Sequence, residues 1–233
     1  MVAAMADALS TRLAEVEERI LSACRRSGRA RSEVQLIGVT KGKDGSVIRA
    51  AAEAGLTVFG ENYVQEWAGK RAALADLDGI EWHFIGRIQR NKAGAVAEAT
   101  LVHSVADRRV AVALAAAGAR RGAPVRALVQ VNLDDEMTKD GVAPPALPEL
   151  IAALRELEGL HVDGLMAIPA PRDPETMRAR FRDLRLLRDR QSDAASLREL
   201  SMGMSADYEA AIEEGATLIR VGTALFGPRE RKA

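Results

Sequence analysis

Lys41 lies at the end of an apolar segment. Of all residues in the sequence, its position most strongly indicates a chemically reactive side chain. The segment before it, residues 34–40, predicts a buried first strand. An amine held beside apolar walls can have its pKa lowered enough to attack an aldehyde. The alternative is a lysine that extends from a strand edge into solvent along its methylene stem. The residues that accompany Lys41 further along the chain decide between these interpretations.

Small and hydroxyl-bearing residues follow the last two predicted strands. Gly222 and Thr223 come after strand eight, and Ser201 and Ser205 lie at and after the end of strand seven. A glycine lets a ligand approach the backbone closely, and a threonine adds a hydroxyl donor. Barrels of parallel strands often bind phosphate at these loops, at the N-terminus of a short helix. Each serine alone is more typical of a cap or turn, but together these residues predict an anion site.

Two further polar residues follow or lie within predicted strands. Asn62 comes after the second strand, where it can cap the next helix or face a ligand. His83 follows a buried aromatic residue in an alternating strand, so it either points into the mouth or satisfies a hydrogen bond in the core. Both alternatives remain open for both residues.

Eight apolar segments alternate with helical patterns, and this alternation predicts the frame that positions these side chains. Strands are predicted at 34–40, 57–59, 81–85, 101–103, 125–131, 162–166, 200–201 and 217–221. Helices are predicted at 7–26, 46–54, 63–74, 92–97, 108–120, 174–191 and 207–214. We therefore predict an α/β fold with one domain over residues 1–233, a (β/α)8 TIM barrel. An extra N-terminal helix within residues 1–30 should pack against it.

A doubly wound sheet is the competing architecture, because it also alternates strand and helix. It predicts a glycine-rich turn after the first strand. The turn at residues 40–45 has neither the dinucleotide G-x-G-x-x-G spacing nor the phosphate-loop pattern. We therefore discount nucleotide binding of those two kinds.

The composition argues against several classes of function. Lys+Arg and Asp+Glu both number 33, so no net charge attracts nucleic acid or an anionic membrane. The single Cys24 has no Cys or His cluster nearby, and the acidic segment 134–141 lacks calcium-loop spacing, so we expect no metal. No stretch approaches the ~20 apolar residues of a membrane span, and residues 1–9 lack signal-peptide features. We expect a cytoplasmic monomer.

Several motifs occur in order along residues 34–227. They are Thr40-Lys41, FGENYVQE at 59–66, WHFIG at 82–86, Q-x-NK at 89–92, GLMAIP at 164–169, SMGMS at 201–205 and RVGT at 220–223. Together they closely resemble the YggS/PROSC family of pyridoxal phosphate homeostasis proteins, which is similar to the barrel of alanine racemase. The resemblance implies a barrel of the PLP fold type III kind that binds pyridoxal 5'-phosphate (PLP). It also implies a part in intracellular PLP homeostasis, through storage, delivery or buffering of the cofactor.

The resemblance also implies roles for individual residues. Lys41 would form the internal aldimine with PLP, and Arg220 would face the pyridine nitrogen. The other implied site residues are Gly222, Thr223 and Ser201 or Ser205 around the phosphate, and Asn62 and His83 beside the ring. No residue is assigned a catalytic role.

The segment around the lysine departs from the family pattern, which usually reads Ser-Lys-Thr-Lys-Pro. Here it reads Thr40-Lys41-Gly42-Lys43-Asp44, so a hydroxyl is preserved but the proline is lost. Loss of the proline leaves the geometry of this loop open. Lys43 is a rival amine, although only the lysine at the true strand end can reach the cofactor.

The implied site limits the chemistry. A guanidinium cannot accept the ring proton, so Arg220 should keep the pyridine nitrogen neutral and weaken PLP as an electron sink. Racemisation needs acid–base groups on both faces of the substrate, and relatives that racemise alanine take the second from an added β domain. The printed sequence extends six residues beyond Gly227, so we expect no such domain.

Three hypotheses follow from these residues. The first is a PLP carrier without a committed reaction, with PLP-dependent apoenzymes as candidate partners. The second is an amino-acid racemase-like enzyme that uses water, Tyr63 or Tyr208 as its second base. The third is a barrel without the cofactor that binds a phosphorylated metabolite.

Overall fold

A closed barrel of parallel strands is the centre of the structure. A computed structural model describes residues 2–134 and 140–228 of the chain. Within those ranges each strand pairs with the next, and the last pairs with the first. The strands are β1 Gln35–Val39, β2 Val58–Glu61, β3 Glu81–Phe84, β4 Leu101–Val105, β5 Val125–Gln130, β6 Leu160–Met166, β7 Glu199–Met204 and β8 Leu218–Val221. The predicted (β/α)8 barrel is confirmed, and the doubly wound sheet is excluded because the sheet closes.

Helices surround the barrel and connect successive strands. They are α1 Val2–Arg26, α2 Gly45–Glu53, α3 Val64–Ala73, α4 Ala93–Val96, α5 Arg108–Arg121, α6 Leu147–Arg155, α7 Pro174–Asp189, α8 Tyr208–Glu213 and α9 Thr223–Phe226. α1 precedes β1 and packs against α2, α8 and α9. Arg26 of α1 pairs with Glu213 at 2.6 Å and with Glu209 at 2.9 Å, which ties α1 to α8.

The strands bury both faces, as parallel strands between a barrel interior and a helical layer must. Their outward side chains join a large apolar core beneath the helices. Their inward side chains form a smaller interior cluster of Ile37, Val58, Leu101, Leu128, Met166 and Leu218. Polar side chains also enter the interior, because His103 of β4 contacts Ser201 of β7 although these strands are not neighbours.

The helix α6 was not predicted. Three prolines, Pro144, Pro145 and Pro148, surround its start and suggest a break in helical structure. Proline is nevertheless favoured in the first helical turn, where its missing N–H has no intrahelical partner to lose. Pro148 occupies this turn, and Ile151 and Leu154 are buried on the inner side of the helix.

Besides residue 1, two parts of the chain lie outside the described residues. Positions 135–139, most of the acidic segment for which we predict no calcium site, are one of them, and 229–233 are the other. Among the described helices, none combines the length and apolar character needed to cross a bilayer.

Candidate functional site

Lys41 lines a cavity at the carboxyl ends of the strands. It continues the inward series of β1, in which Ile37 belongs to the interior cluster and Val39 also lines the cavity. The cavity has a volume of about 310 Å³. Its lining consists of Val39, Lys41, Asn62, Ile85, Ile168, Met204, Ser205, Ala206, Arg220, Gly222 and Thr223.

The loop after β1 separates the two rival lysines. The Lys43 ammonium donates a hydrogen bond to the carbonyl oxygen of Phe226 at 3.0 Å, and Lys43 is not part of the cavity lining. The backbone N–H of Lys43 donates to the Thr40 carbonyl at 2.9 Å, closing a tight turn. The Gly42 N–H donates to Glu66 at 2.8 Å. The loop therefore points Lys41 into the cavity and Lys43 toward the end of α9.

A buried ion pair holds the end of β1 from the helix side. The Lys70 ammonium of α3 donates to Glu61 Oε1 at 2.7 Å and to the Thr40 carbonyl at 2.8 Å. The Thr40 hydroxyl donates to the same Glu61 oxygen. Glu61 and Thr40 are fully buried, and Lys70 is 8% exposed. These contacts fix the loop without the proline that the family pattern carries there.

Backbone N–H groups converge on one oxygen at the start of α9. The N–H groups of Gly222 and Ala224 both donate to Ser205 Oγ, at 3.2 and 3.3 Å. Gly222 has φ −114°, which any residue adopts, and an added Cβ would lie 3.5 Å from Val39, an ordinary contact. Neither the backbone nor the packing requires glycine here. Its absent side chain instead leaves space in the cavity, as an anionic ligand close to the backbone would need.

Arg220 places a buried positive charge at the cavity. Its guanidinium donates to the Ala167 carbonyl at 2.9 Å and to Ser201 Oγ, and the residue is 4% exposed. No carboxylate of the described residues lies within ion-pair distance of it. Burial lowers its pKa to about 10, partly offset by Asp207, so it stays protonated at neutral pH. An electron-rich ligand atom would be stabilised beside it.

Asn62 has an unsatisfied acceptor in the cavity. Its Oδ1 is buried and has no hydrogen-bond partner among the described residues. The capping interpretation is wrong, because Tyr63 occupies the N-cap position of α3 and no side chain caps that helix. Gly86 fixes the backbone of Asn62, since an added Cβ at Gly86 would lie 2.0 Å from the Asn62 carbonyl oxygen. A ligand with a donor group would satisfy the amide oxygen.

Comparison with known proteins identifies the family. The family described as "Alanine racemase, N-terminal domain" matches residues 12–230. The pyridoxal phosphate homeostasis protein of Aquifex aeolicus is 44% identical, over 94% of this chain and 97% of that protein. The Pseudomonas aeruginosa protein of the same name is 45% identical, over 95% and 96% of the two chains. This chain belongs to the pyridoxal phosphate homeostasis protein family.

A solved structure of this family has the cofactor. PipY of Synechococcus elongatus with PLP bound superposes with a TM-score of 0.82. It is 38% identical, and the alignment covers 94% of this chain and all of PipY (100%). The predicted resemblance to pyridoxal phosphate homeostasis proteins is therefore confirmed over nearly the whole chain.

Two site residues carried over from the pyridoxal phosphate homeostasis family lie below the cavity. His83 is bonded to His103, with 3.0 Å between His83 Nδ1 and His103 Nε2, and Ser201 Oγ lies 2.8 Å from His103 Nδ1. Neither His83 nor Ser201 lines the cavity. The lining residue here is Ile85, which directly follows β3 and lies two positions beyond His83 on the same face. The alternation of side chains along the strand shows which face His83 lies on. It does not show whether the side chain is close enough to the strand end to line the cavity.

His103 was missed as a candidate by sequence reasoning. It lies two positions after Leu101, on the same inward face of β4, and it is fully buried. That alternation was the available signal, but no neighbouring motif singled the residue out. Burial lowers its pKa well below the usual value for histidine.

The two tyrosines considered as a second base lie away from this family's cavity. Tyr63 is 58% exposed, and Tyr208 is fully buried. The guanidinium carbon of Arg19 lies 5.0 Å from the centre of the Tyr208 ring. Neither tyrosine lines the cavity, so this arrangement gives no support to a tyrosine acting opposite Lys41.

Proposed function

We propose that this chain binds PLP in the cavity at the carboxyl ends of its strands and serves intracellular PLP homeostasis. The observation that carries the proposal is the convergence on one cavity of an amine, a buried guanidinium and two backbone N–H groups. Lys41 and Arg220 supply the first two, and the backbones of Gly222 and Ala224 supply the N–H groups. The unsatisfied Asn62 oxygen fits a ligand with a donor group. The names of the relatives and the PLP bound to PipY support the same cofactor.

Six of the cavity residues have a part in holding this ligand. The Lys41 amine condenses with the PLP aldehyde, so that a carbon–nitrogen double bond forms and the aldehyde oxygen leaves as water. Gly222, Thr223 and Ser205 hold the phosphate through N–H and hydroxyl donors at the start of α9. Arg220 and Asn62 contact the ring side of the cofactor.

Arg220 favours binding of the cofactor over catalysis by it. PLP supplies an electron sink when its ring nitrogen is protonated, and a guanidinium can only donate to that nitrogen. The buried cation therefore keeps the ring nitrogen unprotonated. We infer a monomeric carrier that stores or buffers PLP and delivers it to PLP-dependent apoenzymes.

Covalent labelling tests the assignment of the lysine. The chain is loaded with PLP, treated with borohydride and digested, and the peptides are analysed by mass spectrometry. We expect the reduced adduct on Lys41 and loss of the visible PLP absorbance in Lys41→Ala. Lys43→Ala is the matched control and should keep both the adduct and the absorbance. An adduct on Lys43, or wild type without bound PLP, would overturn the proposal.

Transfer to a PLP-dependent apoenzyme tests delivery. The loaded chain or an equal amount of free PLP is mixed with the apoenzyme and a phosphatase that destroys free PLP. We expect the loaded chain to restore more enzyme activity than free PLP restores. Equal recovery from both sources contradicts delivery, although it leaves PLP binding intact.

A further inference from the structure

A chain of hydrogen-bonding side chains runs from Arg220 across the interior of the barrel. Its guanidinium donates to Ser201 Oγ, and this oxygen lies 2.8 Å from His103 Nδ1. His103 Nε2 lies 3.0 Å from His83 Nδ1. The four residues come from β8, β7, β4 and β3, and none is more than 5% exposed. The chain ends near the start of β3, where His83 Nε2 lies 3.9 Å from a carboxylate oxygen of Glu81.

Arg220 sets the direction of these hydrogen bonds, because a guanidinium can only donate. Ser201 Oγ accepts its bond, and the hydroxyl hydrogen can then go to His103 Nδ1. His103 must in that case carry its hydrogen on Nε2 and donate to His83 Nδ1. His83 in turn carries its hydrogen on Nε2, which faces the Glu81 carboxylate.

The opposite direction is unfavourable at both ends. If His103 donated from Nδ1, the buried Ser201 hydroxyl hydrogen would have no acceptor among the described side chains. An unsatisfied buried donor is destabilising. A lone pair of His83 would also face the negative charge of Glu81. The structure therefore specifies the same neutral tautomer, with hydrogen on Nε2, for both histidines.

Burial, aided by nearby groups, lowers the pKa values of both histidines and keeps them neutral. Burial, together with Arg126, lowers the pKa of His83 to about 4. Burial lowers the pKa of His103 well below its usual value, and His83 and Arg220 act in the same direction. Arg220 thus gains neutral polar partners. Unlike a carboxylate, these partners do not neutralise its charge.

We propose that His103, acting through Ser201 and supported by His83, is a positioning residue for Arg220. The chain fixes the guanidinium at the cavity and leaves its charge uncompensated for the ring nitrogen of PLP. The effect on PLP rests on the proposed function. The direction of the hydrogen bonds, in contrast, is a property of the protein without any cofactor.

Imidazole nitrogen NMR of the protein without PLP tests the direction. The sequence contains three histidines, and His161→Gln removes the one outside the chain, leaving two to assign. At neutral pH we expect both remaining histidines to carry hydrogen on Nε2 and a lone pair on Nδ1. A hydrogen on Nδ1 of either one, as the other tautomer or as imidazolium, would overturn the proposal. Because no PLP is needed, this result is independent of whether the chain binds the cofactor.

Paired variants test the effect on the cofactor. His103→Leu removes the acceptor for Ser201, and we expect the Kd of PLP to rise roughly tenfold. The pH dependence of the bound-PLP spectrum should also shift, because Ser201 without its acceptor no longer fixes the position of Arg220. His103→Gln keeps one acceptor and one donor, so its Kd and spectrum should remain close to wild type. A purely structural role of His103 would not change the pH dependence of the spectrum.

Three outcomes are decisive. His161→Leu is the matched control outside the chain, and it should bind PLP like wild type. If His103→Leu folds and matches this control in Kd and in spectrum, positioning is overturned. If His103→Leu does not fold, the NMR tautomers and the near wild-type spectrum of His103→Gln decide. Absence of PLP binding in wild type would overturn the proposed function while leaving the tautomers to be judged by NMR.

Discussion

The identities of single residues at this cavity are explained better by the space and charge that a ligand needs than by the stability of the fold. Gly222 is the clearest case, because neither its backbone angles nor its neighbours require a glycine. Arg220 is another, because a buried cation is costly for a fold when, as here among the described residues, no carboxylate pairs with it. Such residues are better explained by a ligand than by the folded chain alone.

Gly222→Ala separates the two explanations. Alanine fits the backbone at this position, so the free energy of unfolding measured in urea should stay within about 1 kcal/mol of wild type. The added methyl group occupies the cavity beside the phosphate donors, and the Kd of PLP should rise about tenfold or more. Gly94→Ala is the control, because its added Cβ meets open space away from the cavity. Unchanged PLP affinity in Gly222→Ala would contradict a phosphate site at this turn.

At the scale of elements, the end of β1 depends on α3. The Lys70–Glu61 pair connects them and also supports the carbonyl of Thr40, next to Lys41. Both partners are buried, so removing one leaves an uncompensated charge inside the protein.

Lys70→Met should therefore be strongly destabilising. The expected loss is about 3–5 kcal/mol in the free energy of unfolding, because Glu61 remains buried without its cation. The double variant Lys70→Met with Glu61→Gln should recover part of this loss. On the same helix, Arg71→Met loses a cation–π contact with Trp67 and should cost about 1 kcal/mol or less. Similar losses for Lys70→Met and Arg71→Met in urea unfolding would show that the buried pair does not support β1.

The secondary-structure elements were more predictable than the position of each side chain along the barrel axis or the pairing of buried charges. Apolar runs and helical periodicity predict all eight strands, although β7 extends over Glu199–Met204 rather than two residues. α6 escaped because prolines suggest a break where they in fact begin a helix. Strand alternation puts His83 on the inner face but does not show that Ile85, one layer higher, reaches the cavity. The Lys70–Glu61 contact depends on how a helix packs on a strand, which local pattern does not encode.

For the whole molecule, the interior histidines link stability to pH. The unfolded chain binds a proton on His83 near pH 6.5, whereas the folded chain does so only at about pH 4, because burial lowers that pKa. Between these values the unfolded state holds more protons. Stability is therefore complete above about pH 6.5 and is lost as the pH falls toward about 4. His103 shifts in the same direction.

Urea unfolding at several pH values measures this loss. We expect His83 to contribute a decline on the order of 3 kcal/mol between pH 7 and pH 4. His83→Gln should be less stable at neutral pH, because a hydrogen bond to His103 is altered, but its stability should fall less on acidification. If the two proteins lose stability in parallel, His83 is not the group that titrates.

The order of the strands has a consequence for synthesis of the protein. Lys41 follows β1, whereas Arg220 and Gly222 belong to or follow β8, and these strands pair with each other. A ribosome therefore makes the proposed Schiff-base lysine early and its proposed partners almost last. An incomplete chain has the lysine but lacks the guanidinium and the turn that we propose to bind phosphate. Stable binding of PLP then depends on closure of the barrel by β8. Nascent or truncated chains would therefore neither bind the cofactor nor lower its free concentration in the cell.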